Sequence, residues 1–113
     1  MDSTEEAKRA ARIRRLNDEF RTRLEGGVLI LTFAVQAFSG VGAVVELVRL
    51  YDCFNEDNDP YGEHDFGAFV FRGRHFFWKI DYYDNETLSF GSEDPADPER
   101  TTRALTIMFA DEY

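Results

Sequence analysis

Cysteine is almost missing from this chain. Cys53 is the single one in 113 residues, so no internal disulfide can form and no cysteine-based zinc site can be assembled. The opening stretch Met1-Asp2-Ser3-Thr4-Glu5-Glu6 has none of the apolar core of a signal peptide, and the two absences together point to a reducing cytoplasm. Long hydrophobic runs are missing too. The longest nearly unbroken one, Val28 to Phe38, falls well short of the roughly 20 apolar residues a spanning helix needs, so a soluble chain with no membrane partner is expected. Bases are the third shortage: 13 against 22 acids leave a formal charge of -9, with a pI near 4.6. Binding to a phosphate backbone needs the opposite balance, which argues against direct nucleic-acid contact. No repeat and no low-complexity linker divides the chain.

What is plentiful is core material. Hydrophobic residues make up 43% of the chain and phenylalanine alone occurs eleven times, enough to build one packed core in a domain of this length. A single domain spanning residues 1–113 is therefore expected. Its charge is uneven. Residues 1–25 hold seven bases and six acids, which leaves six bases and sixteen acids on residues 26–113. The acidic field belongs to the main body, and the N-terminal segment has a basic face.

Ser3-Thr4-Glu5-Glu6 has the form of a capping box, and Ile13, Leu16, Phe20 and Leu24 then share one helical face, with Gly26-Gly27 as the stop. Lys8, Arg9, Arg12, Arg15 and Arg23 fall on the opposite, solvated face. Val28 to Val35 is apolar at almost every position, which predicts a strand covered on both faces at the centre of a sheet. Val41 to Phe54 has helical spacing, with Ser39 placed to cap it. After residue 65 the period changes to two. Phe66 to Phe71 and Arg74 to Tyr83 read as a hairpin joined at Arg72-Gly73, with Trp78 and Ile80 on its apolar face. Asp84-Asn85-Glu86 is a further turn signal, and Leu88 and Phe90 mark a short strand after it. Asp97 as N-cap and Pro98 at the first helical position predict a closing helix with Ala104, Leu105, Met108 and Phe109 on its buried stripe. The expected fold is α+β: a largely antiparallel sheet of about four strands with three helices, in the order α-β-α-β-β-β-α.

The densest chemistry lies between Asn55 and Gly67, where acids, turn formers and one of two histidines sit between apolar segments. Asp57, Asp59 and Gly62 match three positions of an EF-hand calcium loop, but Tyr61 and Ala68 occupy two of its ligand positions. That motif fails. A looser Ca²⁺ or Mg²⁺ set of Asp57, Asp59, Glu63 and Asp65 stays open beside a plainer reading, in which Asn55, Asp57 and Asp59 make side-chain turns and Pro60 and Gly62 fix the bend. An acid-base arrangement of Glu63, His64, Asp65 and Lys79 is the enzymatic reading. No nucleophile-base spacing, phosphate loop or His-Glu-x-x-His motif accompanies it, and no cofactor is expected. Lys79 and Asp81, two apart on one strand face, are placed to pair with each other.

Asn58-Asp59-Pro60-Tyr61-Gly62-Glu63-His64-Asp65-Phe66-Gly67, Trp78-Lys79-Ile80-Asp81-Tyr82-Tyr83-Asp84 and the ending Leu105 to Tyr113 resemble an uncharacterised family of small bacterial proteins. The resemblance runs from about Ala11 to Tyr113. It implies a setting in alphaproteobacterial genomes, plasmids and mobile elements, and it carries no catalytic residue with it. Two function classes follow. The first is an acidic binding protein whose carboxylates Asp57, Asp59, Glu63 and Asp65 meet a basic protein partner, such as the nucleic-acid groove of a host defence or DNA-processing protein. The second is a small hydrolase or nuclease built on the Glu63-His64-Asp65 loop.

Overall fold

The computed structural model describes residues 3–87, 89 and 91–113. Helix α1 (Ser3–Arg23) leads into strand β1 (Gly27–Leu31), a single helical turn α2 (Phe33–Gln36) and helix α3 (Val41–Arg49). After the acidic loop come β2 (Phe66–Phe71), β3 (Arg74–Asp84) and β4 (Thr101–Phe109), and a short 3-10 turn at Ala110–Glu112 ends the chain. The four strands form one sheet in the order β1-β4-β3-β2. β2 with β3 and β3 with β4 are antiparallel, whereas β1 runs parallel to β4. The architecture is α+β.

The helices share one face of the sheet. Alternation along β3 and β4 sends Phe76, Trp78, Ile80, Leu105, Ile107 and Phe109 into one buried cluster, where they meet Phe20 of α1, Val35 of α2 and Val44 and Val48 of α3. Trp78 is fully buried and Ile80 nearly so, on the apolar face expected of the hairpin. On the other face, Phe77 packs against Phe66 and Tyr113 at ring distances of 5.1 and 5.6 Å. No helix among the described residues is long and apolar enough to cross a membrane.

Four expectations change. The closing helix is a strand: Leu105, Ile107 and Phe109 enter the core while Ala104 and Met108 are covered on the opposite face. A strand buried on both faces carries an almost continuous apolar run, and Asp97, expected as a helix N-cap, holds only a turn, its carboxylate accepting the Glu99 N–H at 2.9 Å. The first strand is an edge strand and stops at Leu31, because Thr32 caps α2 by accepting the Val35 N–H on its hydroxyl. α3 begins after Gly40 with no side-chain cap from Ser39. A Cβ at Gly40 would press within 2.9 Å of the Phe38 and Phe71 rings, so that position admits only glycine without rearrangement. α3 also ends at Arg49, five residues before Phe54, for a reason that lies in α1 and is given below. The expected strand residues Leu88 and Phe90 lie outside the described residues, as does the side chain of Ser3 in the expected capping box.

Candidate functional site

The loop between α3 and β2 is held by its own turn chemistry and by one face of α1. Asn55 accepts the backbone N–H groups of Asp57 and Asn58 on Oδ1, at 2.8 and 3.0 Å. Asn58 returns the bond, accepting from Asn55 N–H at 2.9 Å and donating to the Cys53 carbonyl at 2.8 Å. Asp59 accepts from the N–H groups of Glu63 and His64, both at 3.1 Å. Asn55 and Asp59 thus turn the backbone with their side chains, as the plainer sequence reading has them, whereas the third side chain in the turn is that of Asn58, with Asp57 taking part through its backbone N–H. Gly62 and His64 both lie in the left-handed region, at φ 68° and 55°, which glycine adopts freely and histidine only when its surroundings hold it there.

Those surroundings come from α1. Asp18 accepts from His64 Nδ1 at 2.9 Å, and the other ring nitrogen lies 3.5 Å from Asp59. The imidazole stacks on Phe54 with centroids 3.7 Å apart and planes 4° from parallel. Arg21, 3% exposed, donates from Nη2 to Asp18 and from Nη1 to the carbonyls of Val48, Arg49 and Tyr51. This guanidinium supplies donors to the last carbonyls of α3, which is why the helix ends where it does. Arg14 donates to the Gly62 carbonyl and Asn17 to the Glu63 carbonyl, each at 2.9 Å.

A second polar group lies under the loop's end. Fully buried Asn17 donates to the Tyr82 hydroxyl and accepts from Arg103 Nε at 2.6 Å, and Arg103 also donates to the Pro95 carbonyl. The Tyr82 hydroxyl reaches Asp65 at 3.4 Å. Burial raises the pKa of Glu63, with the neighbouring charge of Asp65 adding to it, and burial likewise raises that of Asp65, with Asp59 adding to it. The Tyr82 phenol is pushed up by burial and the Arg103 guanidinium down.

The sequence-predicted residues therefore separate into distinct environments. Asp59, with a side chain 6% exposed, is an internal brace; Glu63 and Asp65 are half-buried; Asp57 is exposed. Among the described residues no three of His, Cys, Asp or Glu are placed to hold a metal ion. Lys79 is on the sheet face away from the helices, paired with Asp81 at 2.9 Å, and is not brought to Glu63, His64 and Asp65. Sequence reasoning missed Asn17, Asp18, Arg21, Tyr82 and Arg103. Asn17 and Arg21 continue the Ile13-Phe20-Leu24 spacing of α1, and polar side chains within an apolar stripe are the signal that could have found them.

No curated protein and no solved structure matches the chain. A family model described as "Protein of unknown function (DUF3768)" matches residues 31–112. That span holds α2, α3, the acidic loop and strands β2 to β4, while α1, which pins the loop, precedes it. With most of its length inside the match, the chain belongs to the DUF3768 family of proteins of unknown function.

Proposed function

We propose that this protein is an acidic binding module that captures a basic protein partner on the outer side of the loop between α3 and β2. The observation that carries the reading is the division of labour among the loop's acids. Asp59 is consumed internally, whereas Asp52, Glu56 and Asp57 are exposed and make no ion pair among the described residues. They stand on a turn fixed by Asn55, Asn58 and Arg21. A rigid turn presents its carboxylates without an ordering cost at the moment of binding, and unpaired surface charge favours fast, oriented encounter with a surface of opposite sign. A protein surface that otherwise binds nucleic acid has that sign. The resemblance to mobile-element proteins makes a host defence or DNA-processing protein the partner class, with this chain as its inhibitor.

The hydrolytic reading has less support. Both ring nitrogens of His64 face carboxylates, Asp18 and Asp59, and the ring is stacked on Phe54, an arrangement suited to pinning the loop. Lys79 is on the other side of the sheet.

The test replaces Asp52, Glu56 and Asp57 by Asn, Gln and Asn and compares capture of partners from host lysate at low and high salt. The variant keeps its melting temperature and loses the salt-sensitive partner, and the wild type displaces DNA from that partner. Equal capture by the two proteins sinks the proposal.

A further inference from the structure

β2 is the outermost strand beyond β3. The Asp65 carbonyl accepts the Ile80 N–H at 2.9 Å. Bonding alternates along an antiparallel pair, so Gly67, Phe69 and Phe71 turn their backbone groups toward β3 while Phe66, Ala68 and Val70 turn theirs outward. Ala68 shows that direction, its N–H donating to the Tyr51 hydroxyl at 3.4 Å. A side-chain oxygen stands there where the carbonyl of an added strand would stand.

Beside this edge runs a groove of about 250 Å³ between β2 and the end of α3, walled by Leu47, Leu50, Tyr51, Phe69 and Val70. Leu47 and Leu50, 40% and 72% exposed, stand on the helix side of the groove, and Val70, 57% exposed, contributes at the strand edge with its side chain on the opposite sheet face. The groove is electrically lopsided. Asp52 and Cys53 line it where the chain leaves α3 for the acidic turn, and Tyr51 lies against Gly67 at that end. At the opposite end Gly40 lies against Phe71 and Arg72, and the Arg72 guanidinium sits 5.0 Å from the Phe71 ring centre.

An outward backbone, an adjoining apolar channel and unpaired acid at one end together describe a receptor for an extended peptide. Resting on the acidic-loop reading and giving its partner a shape, we propose that the partner adds a strand to the outer edge of β2. That strand bonds to Val70 N–H and C=O and to Ala68 C=O. Alternate apolar side chains enter the groove, and a lysine or arginine lies at the end nearest Asp52.

The probe is a synthetic peptide of alternating lysine and valine, with its glutamate-valine counterpart as control. Binding to the full chain is followed by backbone amide shifts and by a fluorophore on the exposed Cys53 thiol. The lysine peptide binds saturably, shifts Ala68 to Val70 and slows exchange of the Val70 amide, and the glutamate peptide does not bind. Leu50→Ser removes apolar wall, and Val70→Pro removes an outward donor without touching the bonds to β3. Each weakens binding by roughly tenfold with the melting temperature retained. No saturable shift along β2, or equal binding by both variants, overturns the inference. If neutralising Asp52, Glu56 and Asp57 abolishes capture of the lysate partner while Leu50→Ser and Val70→Pro retain it, strand addition falls and the acidic-loop reading stands. If the two groove variants lose the probe and the neutralised variant keeps it at any salt, strand addition stands and the acidic-loop reading falls.

Discussion

Arg21 is a cation placed where α1 has its most buried face, and four oxygens answer it: one carboxylate and three carbonyls. Its guanidinium also lies 5.1 Å from the Trp78 ring centre and 5.6 Å from that of Phe54. A lysine keeps the charge but presents a compact ammonium without the planar fork, so it cannot reach this spread of acceptors or stack on the rings. Arg21→Lys is therefore expected to cost about 2 kcal/mol or more, as buried carbonyls lose their donor. Chemical denaturation measures it, and a loss within error of zero would show that the end of α3 holds itself. Trp78 gives a second test. Its ring is fully buried, yet its indole N–H has no acceptor among the described residues. Trp78→Ala empties the centre of the core and is expected to cost roughly 3 to 5 kcal/mol. Trp78→Phe removes an unsatisfied donor together with some apolar area, and its cost is less than half of that. Equal losses for the two variants would mean that the N–H is satisfied after all.

Among elements, the pairing of β2 with β3 depends on what one residue lacks. Gly67 lies opposite Trp78 in the register, and a Cβ there would meet the indole and the Tyr51 ring. Gly67→Ala over-packs this point and is expected to cost about 1 to 3 kcal/mol, with a shift in Trp78 fluorescence; an unchanged spectrum and stability would show that the indole has room to move. The hairpin itself was legible, because its period of two, its aromatic residues and its Arg72-Gly73 turn all agree, with both turn residues at positive φ. β4 was misread because Asp97-Pro98 is a strong local cap signal, while the alternation of Leu105, Ile107 and Phe109 gains its meaning only from two neighbours distant in sequence, β1 and β3. The end of α3 was hidden for the same reason, since Arg21 sets it from 28 positions away. The site shows the same pattern. Local turns by Asn55 and Asp59 could be read, whereas the pinning of His64 needs Asp18, which no spacing rule connects to it.

For the whole molecule, the net charge of -9 and the half-buried acids act in the same direction. Glu63 and Asp65 have folded-state pKa values above their ordinary ones, chiefly because burial disfavours the charged form. A carboxyl raised in this way binds its proton more tightly folded than unfolded, so it destabilises the fold when ionised and the penalty is relieved as pH falls through the raised value. General repulsion among the acids weakens over the same range. Asp84 works in the opposite sense: N–H groups of Thr87 and Glu86 hold its pKa down, so what it contributes is lost only when pH falls below the ordinary carboxylate range. Stability is therefore expected to rise from neutral pH into the region just above the ordinary values of Asp and Glu, and to fall again in stronger acid. One kcal/mol moves the melting temperature of a domain this size by roughly 4 °C, so calorimetry across pH in low salt resolves the trend. Glu63→Gln with Asp65→Asn flattens the acid-side gain and leaves the part that added salt also removes, because screening acts on exposed charges and little on half-buried ones. A melting temperature that climbs steadily from acid to pH 8, or a double variant with the wild-type profile, would mean that these two carboxyls are paid no penalty by the fold.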